Sequence, residues 1–315
     1  MLAIEVSKLV KQYNNGVRAL DNLNLKLEAG ESFSLLGPNG AGKSSLINIL
    51  TTYFPPTSGS AKVFGKDICK EPNFIRFQIA CVAQHNSIDM HLSLEENMMF
   101  QSRLYKVEAA SAKKRMKELI ECFKLERYLK YPVSSYSGGV KRRLDIAMNM
   151  MSSPKILFLD EPTVGMDIQS RMAMWDMMKK IRESFGTTIF LTTHYLEEAD
   201  ELSDTICIMK DGHEIVQGTP KELRQYIKQD IIRIGFENEE QARYCTNRLG
   251  SISSLKSIET RDASILIKAV DRQKDFTAIN QWLLKQEIAF NAIEIVQPSI
   301  EDVFLNFTDE NRKEA

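Results

Sequence analysis

The spacing of apolar positions changes several times along the chain, and each change marks an element. Residues 3–6 and 20–27 alternate or run apolar on either side of Asn14-Asn15-Gly16, which predicts two early strands with a turn between them. Residues 32–36 form a short apolar run that stops at Gly37, the pattern of a buried strand feeding a glycine-rich loop. Leu46, Ile47, Ile49 and Leu50 suit a helix over 43–52 packed on a sheet. From about Leu92 to Pro154 strand-like runs vanish and charged helical patterns such as 109–123 dominate, predicting a mostly helical insertion. Strand signals return at 156–159, 188–192 and 205–209, separated by helical patterns at 168–185 and 196–202. Buried strands alternating with helices predict a parallel α/β sheet.

After Leu223 the pattern resets. Strands are predicted at 231–236, 255–259, 264–270 and 289–296, with helices at 239–249 and 275–286. That order, β-α-β-β-α-β, is the ferredoxin-like arrangement of an α+β domain. Pro298 punctuates, and 300–307 reads as a last helix. The expected organisation is an α/β domain over 1–225 with a helical subdomain at about 90–154, a linker at 226–230, and a small domain over 231–315.

Net charge is -1, from 41 basic and 42 acidic residues, so nothing global points to nucleic acid or an anionic membrane surface. The five cysteines are scattered without a C-x-x-C pair, which fits a reduced compartment with cysteines as small core residues. The first eight residues lack a basic region followed by an apolar stretch, so no secretory signal is expected. No run approaches the ~18–20 apolar residues of a membrane span. Work on a membrane would therefore pass through another chain.

Three segments carry chemistry. Residues 37–45, Gly-Pro-Asn-Gly-Ala-Gly-Lys-Ser-Ser, fit G-x-x-x-x-G-K-[ST] between a predicted strand and a helix. Gly37, Gly40 and Gly42 let the backbone wrap phosphates, with Asn39 and Ser45 in the same loop. Lys43 can reach the β- and γ-phosphates, and the Ser44 hydroxyl can ligate Mg²⁺. The loop alone does not separate kinases, GTPases, helicases and transport ATPases. Four apolar residues then lead into Asp160-Glu161, placing two carboxylates where an open α/β sheet binds ligands. Asp160 suits a Mg²⁺ shell and Glu161 a general base, although strands often end in acids. In Tyr136-Ser137-Gly138-Gly139-Val140, Ser137 is a good N-cap and the glycines expose helix N–H groups. Taken alone, that segment reads as a capped helix with Lys141, Arg142 and Arg143 on a solvated face.

In this order the segments resemble the motifs of an ATP-binding-cassette (ABC) ATPase, a P-loop NTPase, over about residues 2–223. Residues 37–45 resemble Walker A, residues 136–140 the signature LSGGQ, and Asp160 and Glu161 Walker B with its catalytic glutamate. Gln84 sits where the family has its Q-loop glutamine. Val164-Gly-Met-Asp167 resembles the D-loop, and His194 in Leu-Thr-Thr-His the switch histidine. Tyr13 sits where an aromatic ring stacks on adenine. Alone, His194 fits a core or surface histidine, Tyr13 plain packing and Asp167 a helix N-cap.

The resemblance implies ATP and Mg²⁺ as cofactors, with Gln84 offering its amide oxygen to the metal and His194 bonding the γ-phosphate. It implies a dimer in which Ser137, Gly138 and Gly139 of one copy close on the ATP of the other. Val140 departs from the usual Gln and Val164 from the frequent Ser, which touches nucleotide affinity more than hydrolysis. The pattern at 136–144, the segment Glu-Pro-Thr-Val-Gly-Met-Asp and the tail Gln-Pro-Ser-Ile-Glu-Asp-Val-Phe at 297–304 are similar to the bacterial drug-resistance exporter branch of the daunorubicin-pump type. That branch implies a membrane permease of about six spanning helices, a place on the cytoplasmic face of the inner membrane, and export of drugs, lipids or other amphipathic compounds. A non-transport ABC ATPase acting as a clamp or switch is the alternative.

Overall fold

A computed structural model describes residues 1–84, 87–227, 231–249, 258–269 and 271–308, with Arg272 by its backbone alone. The chain divides into two compact units, Met1–Pro220 and Lys221–Ala315.

The first unit opens with strands β1 (Leu2–Gln12), β2 (Arg18–Glu28) and β3 (Ser32–Leu36), then helix α1 (Lys43–Leu50). Next come β4 (Ser58–Val63), β5 (Lys66–Asp67), α2 (Pro72–Gln78) and β6 (Ile79–Val82). The helical stretch holds α3 (Leu94–Leu104), α4 (Ala109–Cys122), two 3₁₀ turns and α5 (Gly138–Met150). The unit continues through β7 (Ile156–Asp160), α6 (Ile168–Phe185), β8 (Thr188–Thr193), α7 (Leu196–Leu202), β9 (Thr205–Lys210) and β10 (His213–Gly218).

Two sheets result. One is antiparallel, in the order β2-β1-β4-β5, and the other has the order β10-β9-β3-β8-β7-β6. In the second sheet β9, β3, β8, β7 and β6 run parallel, and β10 closes one edge antiparallel. Its inner strands β9, β3, β8 and β7 are buried on both faces, which is why they read as nearly continuous apolar runs. On β7, Ile156 and Phe158 join a core built with β1, β2, β4 and α1, whereas Leu157 and Leu159 join a core built with α3, α4, α5 and α6. All four are fully buried, each contributing roughly 2 kcal/mol by leaving water.

The region between α1 and β6 escaped the pattern reading because β4 is Ser-Gly-Ser-Ala-Lys-Val, with Ala61 and Val63 its only buried side chains. Strand β1 is longer than expected because bulges between Val6 and Leu9 break its alternation. Not all five cysteines are core residues. Cys207 and Cys245 are buried and Cys122 half-buried, but Cys69 and Cys81 are exposed, Cys81 lying on edge strand β6. No helix among the described residues is long and apolar enough to cross a membrane.

Helix α8 (Pro220–Gln225) carries the division between the units, and residues 228–230 of the expected linker lie outside the described residues. The second unit then holds β11 (Ile231–Gly235), α9 (Glu239–Leu249), β12 (Ile258–Arg261), β13 (Ser264–Lys268), α10 (Arg272–Lys285), β14 (Ala292–Val296) and α11 (Ile300–Thr308). Its sheet is antiparallel in the order β12-β13-β11-β14, which is the ferredoxin-like order. Ile232, Ile234, Ile265 and Ile267 form one core with Ala242, Cys245 and Ile279 of the two helices. The strand expected at 255–259 is met by β12 at residues 258 and 259. Residues 255–257 and 270 are outside the described residues, and β12 runs to Arg261 because the hairpin turns at Asp262, where φ is 50°. The polar Thr260 and Arg261 of this edge strand mimic a loop.

Candidate functional site

Strand order explains why distant sequence segments meet. Neighbours β3, β8, β7 and β6 are parallel, so their carboxyl ends lie side by side. The phosphate loop follows β3, His194 follows β8, Asp160 ends β7 with Glu161 just after it, and Gln84 follows β6. This is the ligand-binding edge of an open α/β sheet.

Gly42 is the N-cap of α1 at φ 100°, and a Cβ there would collide with the Ala19 carbonyl oxygen. Only glycine fits such a backbone and such an approach. The first turn of α1 holds no acidic side chain, and no side chain caps it, so its N–H groups and positive end face the loop. Lys43 is buried, its Nζ donating to the carbonyls of Gly37 at 2.7 Å and Pro38 at 3.1 Å. Burial lowers its pKa, opposed by the charges of Glu161 and Asp160. Asn39 and Ser44 are exposed, and Ser45 Oγ lies 3.0 Å from the hydroxyl of half-buried Tyr13. Tyr13 meets Phe54 edge-on at 5.8 Å.

The acidic end is held by a residue that pattern reading missed. Thr192, fully buried opposite Asp160 in the β7–β8 register, donates its hydroxyl to Asp160 Oδ1 at 2.5 Å. Its hydroxyl and carbonyl oxygens both accept from the Glu161 amide at 3.1 Å. Glu161 adopts φ 47°, the left-handed region, just past the strand end. Its Oε1 is 3.4 Å from Nδ1 of half-exposed His194. A polar residue inside an apolar strand was the available signal for Thr192.

Ser137 occupies the N-cap position of α5, but its hydroxyl accepts no helix N–H, contrary to the capping role expected of it. Ser137 and Gly138 are exposed, and Val140 is buried in the helical core. Val140 is thus a packing residue. Asp167 caps α6, its carboxylate accepting from the amide of Ser170 at 2.9 Å and the hydroxyl at 2.7 Å. The Ser170 amide is the main cause of its lowered pKa. One cleft of about 460 Å³ brings together Gln84, Ser137, Gly139, Glu161, Gly165 and Asp167. Lys43 and Tyr13 lie on the phosphate-loop side and do not line it.

Two further buried charges stand beside these loops. Arg142 does not lie on a solvated face: it is 4% exposed and bonds the carbonyls of Ala83 and Asp160. The signal was Asp145, a charge set between apolar Leu144 and Ile146 one turn on. Glu198 is fully buried, accepting from Thr163 at 2.8 Å and Trp175 at 3.0 Å. Burial raises its pKa against these hydrogen bonds.

Comparison with known proteins agrees with this geometry. A family model described as ABC transporter matches residues 20–164. The daunorubicin/doxorubicin resistance ATP-binding protein DrrA of Streptomyces peucetius is 37% identical over 97% of this chain and 92% of its own length. The linearmycin resistance ATP-binding protein LnrL of Bacillus subtilis is 33% identical over 91% and 92%. A dimeric structure of the ATP-binding cassette MJ0796 in a post-hydrolysis state with ADP and Pi superposes with a TM-score of 0.61 and 28% identity, covering 69% of this chain and 98% of that one. The chain belongs to the ABC transporter family as an ATP-binding, ATP-hydrolysing subunit.

Proposed function

We propose that this subunit powers export of drug-like amphipathic compounds through a separate membrane permease, and that it hydrolyses ATP with the residues gathered at the strand ends. The observation that carries the reading is the convergence of the phosphate loop, Glu161, His194 and Gln84 on one edge of the parallel sheet. Two relatives carry drug-resistance names, which supports the export branch.

In this reading the loop amides, the α1 end and Lys43 bind the phosphates, while Tyr13 takes the adenine. Ser44, Asp160 and Gln84 offer hydroxyl, carboxylate and amide oxygens, a hard donor set that suits Mg²⁺, which when bound neutralises phosphate charge. Glu161 polarises the attacking water, and His194 holds the water and the γ-phosphate in line. The exposed Ser137 and Gly138, with Gly139, reach the nucleotide of a second copy, so two ATP molecules lie between two chains. The dimeric cassette that this chain resembles supports such a pairing. The hydroxyl of Ser137, unused as a cap, is available for that contact.

The permease docks where apolar side chains stay in water. Phe77 on α2 and Leu104 on α3 are 56% and 61% exposed and line one groove with Arg76, Cys81 and Tyr105. Residues 86–97, between the Gln84 region and the helical stretch, carry the motion to the permease, and Asn86 at their start lies outside the described residues. The subunit then sits peripherally on the cytoplasmic face of the membrane, with the second unit as an accessory domain. Glu161→Gln in the full chain tests the reading: ATP binding persists and turnover stops, whereas normal steady-state hydrolysis removes Glu161 from its role.

A further inference from the structure

One buried cation ties the loops of the site to the helix that opens at the signature segment. Arg142 donates from Nη2 to the Asp160 carbonyl at 3.1 Å and from Nη1 to the Ala83 carbonyl. These residues immediately precede Glu161 and Gln84. Arg142 Nη1 also pairs with Asp145 Oδ2 at 3.6 Å, one turn along α5. Asp145, 1% exposed, accepts on Oδ1 from the Ser87 hydroxyl at 2.6 Å and the Ser87 amide at 3.4 Å. From α5, therefore, one ion pair holds the ends of β6 and β7 and the chain just past Gln84.

Stability alone does not account for this arrangement. Desolvating two charges offsets their attraction, and apolar residues of similar size often do as well or better. Asp145 Oδ2 has no hydrogen-bond partner, so the pair is not even fully satisfied. An apolar pair could fill the same space, but it could not hold two backbone carbonyls at a set separation. A guanidinium can, because its donors are fixed in one plane.

We propose that Arg142 is a positioning residue for ATP hydrolysis: it locks the backbone at Ala83 and Asp160 to α5, so that Gln84, Glu161 and the signature segment shift together. The proposal rests on the roles assigned above to Glu161 and Gln84. A displacement of the backbone at Ala83 then reaches Glu161 through this side chain as well as through the sheet, and reaches the partner's nucleotide through Ser137 at the N-cap of the same helix.

The test compares full-length variants by steady-state ATPase kinetics, binding of a fluorescent ATP analogue and thermal midpoint. A misplacement of about 1 Å costs on the order of 100-fold in rate, so Arg142→Gln is expected to lower kcat by about 30-fold or more with KM within about threefold of wild type. Arg142→Lys keeps the ion pair but reaches at most one carbonyl; it keeps the midpoint and recovers only part of kcat. Arg142→Met combined with Asp145→Leu regains the midpoint yet retains the kcat loss. Wild-type kcat in Arg142→Gln or Arg142→Lys overturns the proposal, as does recovery of kcat together with the midpoint in the double variant. If Arg142→Gln does not fold, the other two variants decide. Glu161→Gln runs alongside: if it hydrolyses normally, the reading of the site has failed, whereas an inactive Glu161→Gln beside fully active Arg142 variants sinks this inference alone.

Discussion

The parallel sheet of the first unit and the antiparallel sheet of the second use similar apolar strands, yet charge is buried very differently around them. Beside the parallel sheet, Lys43, Arg142, Asp145 and Glu198 are all buried. In the second unit the buried charged residue among those described is Asp275, which accepts from the Asp271 amide at 3.0 Å at the start of α10. Its main ion cluster, Arg261 with Glu259, Glu301 and Asp302, is part-exposed. The cause is topological. Parallel strands send every carboxyl end to one edge, so chemistry-bearing loops converge and need internal ties. Antiparallel strands alternate direction and scatter their loops, leaving a fold that needs only its core. Buried charge therefore coincides with the region proposed to bind and hydrolyse ATP.

Substitutions can break that contrast. The largest effect is expected for Glu161→Gln, which should lower kcat at least 100-fold while ATP affinity, read by analogue binding, stays near wild type. Gly42→Ala forces a side chain into a left-handed backbone against the Ala19 carbonyl. It should destabilise the first unit by about 3 kcal/mol in denaturant melts and abolish nucleotide binding. Thr192→Val keeps the shape but removes the hydroxyl shared by Asp160 and Glu161; an expected loss of about 1–2 kcal/mol in stability and about tenfold in kcat would be read from melts and kinetics.

Glu198→Gln sharpens the comparison through pH. The Glu198 pKa is raised above its ordinary 4.5, so the native state binds a proton more tightly than the unfolded chain does. Stability from this group is present below pH 4.5 and declines as pH rises through the folded pKa. The variant should lack that decline, so the difference in thermal midpoint between the two proteins should shift in its favour above pH 4.5; parallel midpoints across the range would contradict the assignment. The smallest effect is expected in the second unit. Arg261→Ala breaks part-exposed pairs and should cost about 0.5 kcal/mol with no change in basal ATPase rate.

Legibility in the sequence followed burial. Strands β3, β7, β8 and β9 announced themselves because both faces are apolar, and α6, α7 and α9 matched their predicted bounds. The phosphate loop between a strand and a helix, and the two acids at a strand end, were legible from residue type and spacing, whereas His194 stood out only through the family resemblance. Strand β4 was not legible, since it is Ser- and Gly-rich, and the end of β12 was missed because it closes in Thr-Arg at a sheet edge. Arg142, Asp145, Thr192 and Glu198 stayed hidden for another reason. Their partners lie 32 to 59 residues away for Thr192–Asp160, Glu198–Thr163, Asp145–Ser87 and Arg142–Ala83, so only the folded sheet makes sense of them.

The φ of 47° at Glu161 has an evolutionary side. Any L-residue with a side chain pays roughly 1 kcal/mol to sit there, and glycine does not. Heat selection acting on foldedness alone would therefore drift toward glycine at the very position proposed to polarise the attacking water. Libraries of this subunit screened for thermostability without an activity filter should enrich inactive clones at codon 161.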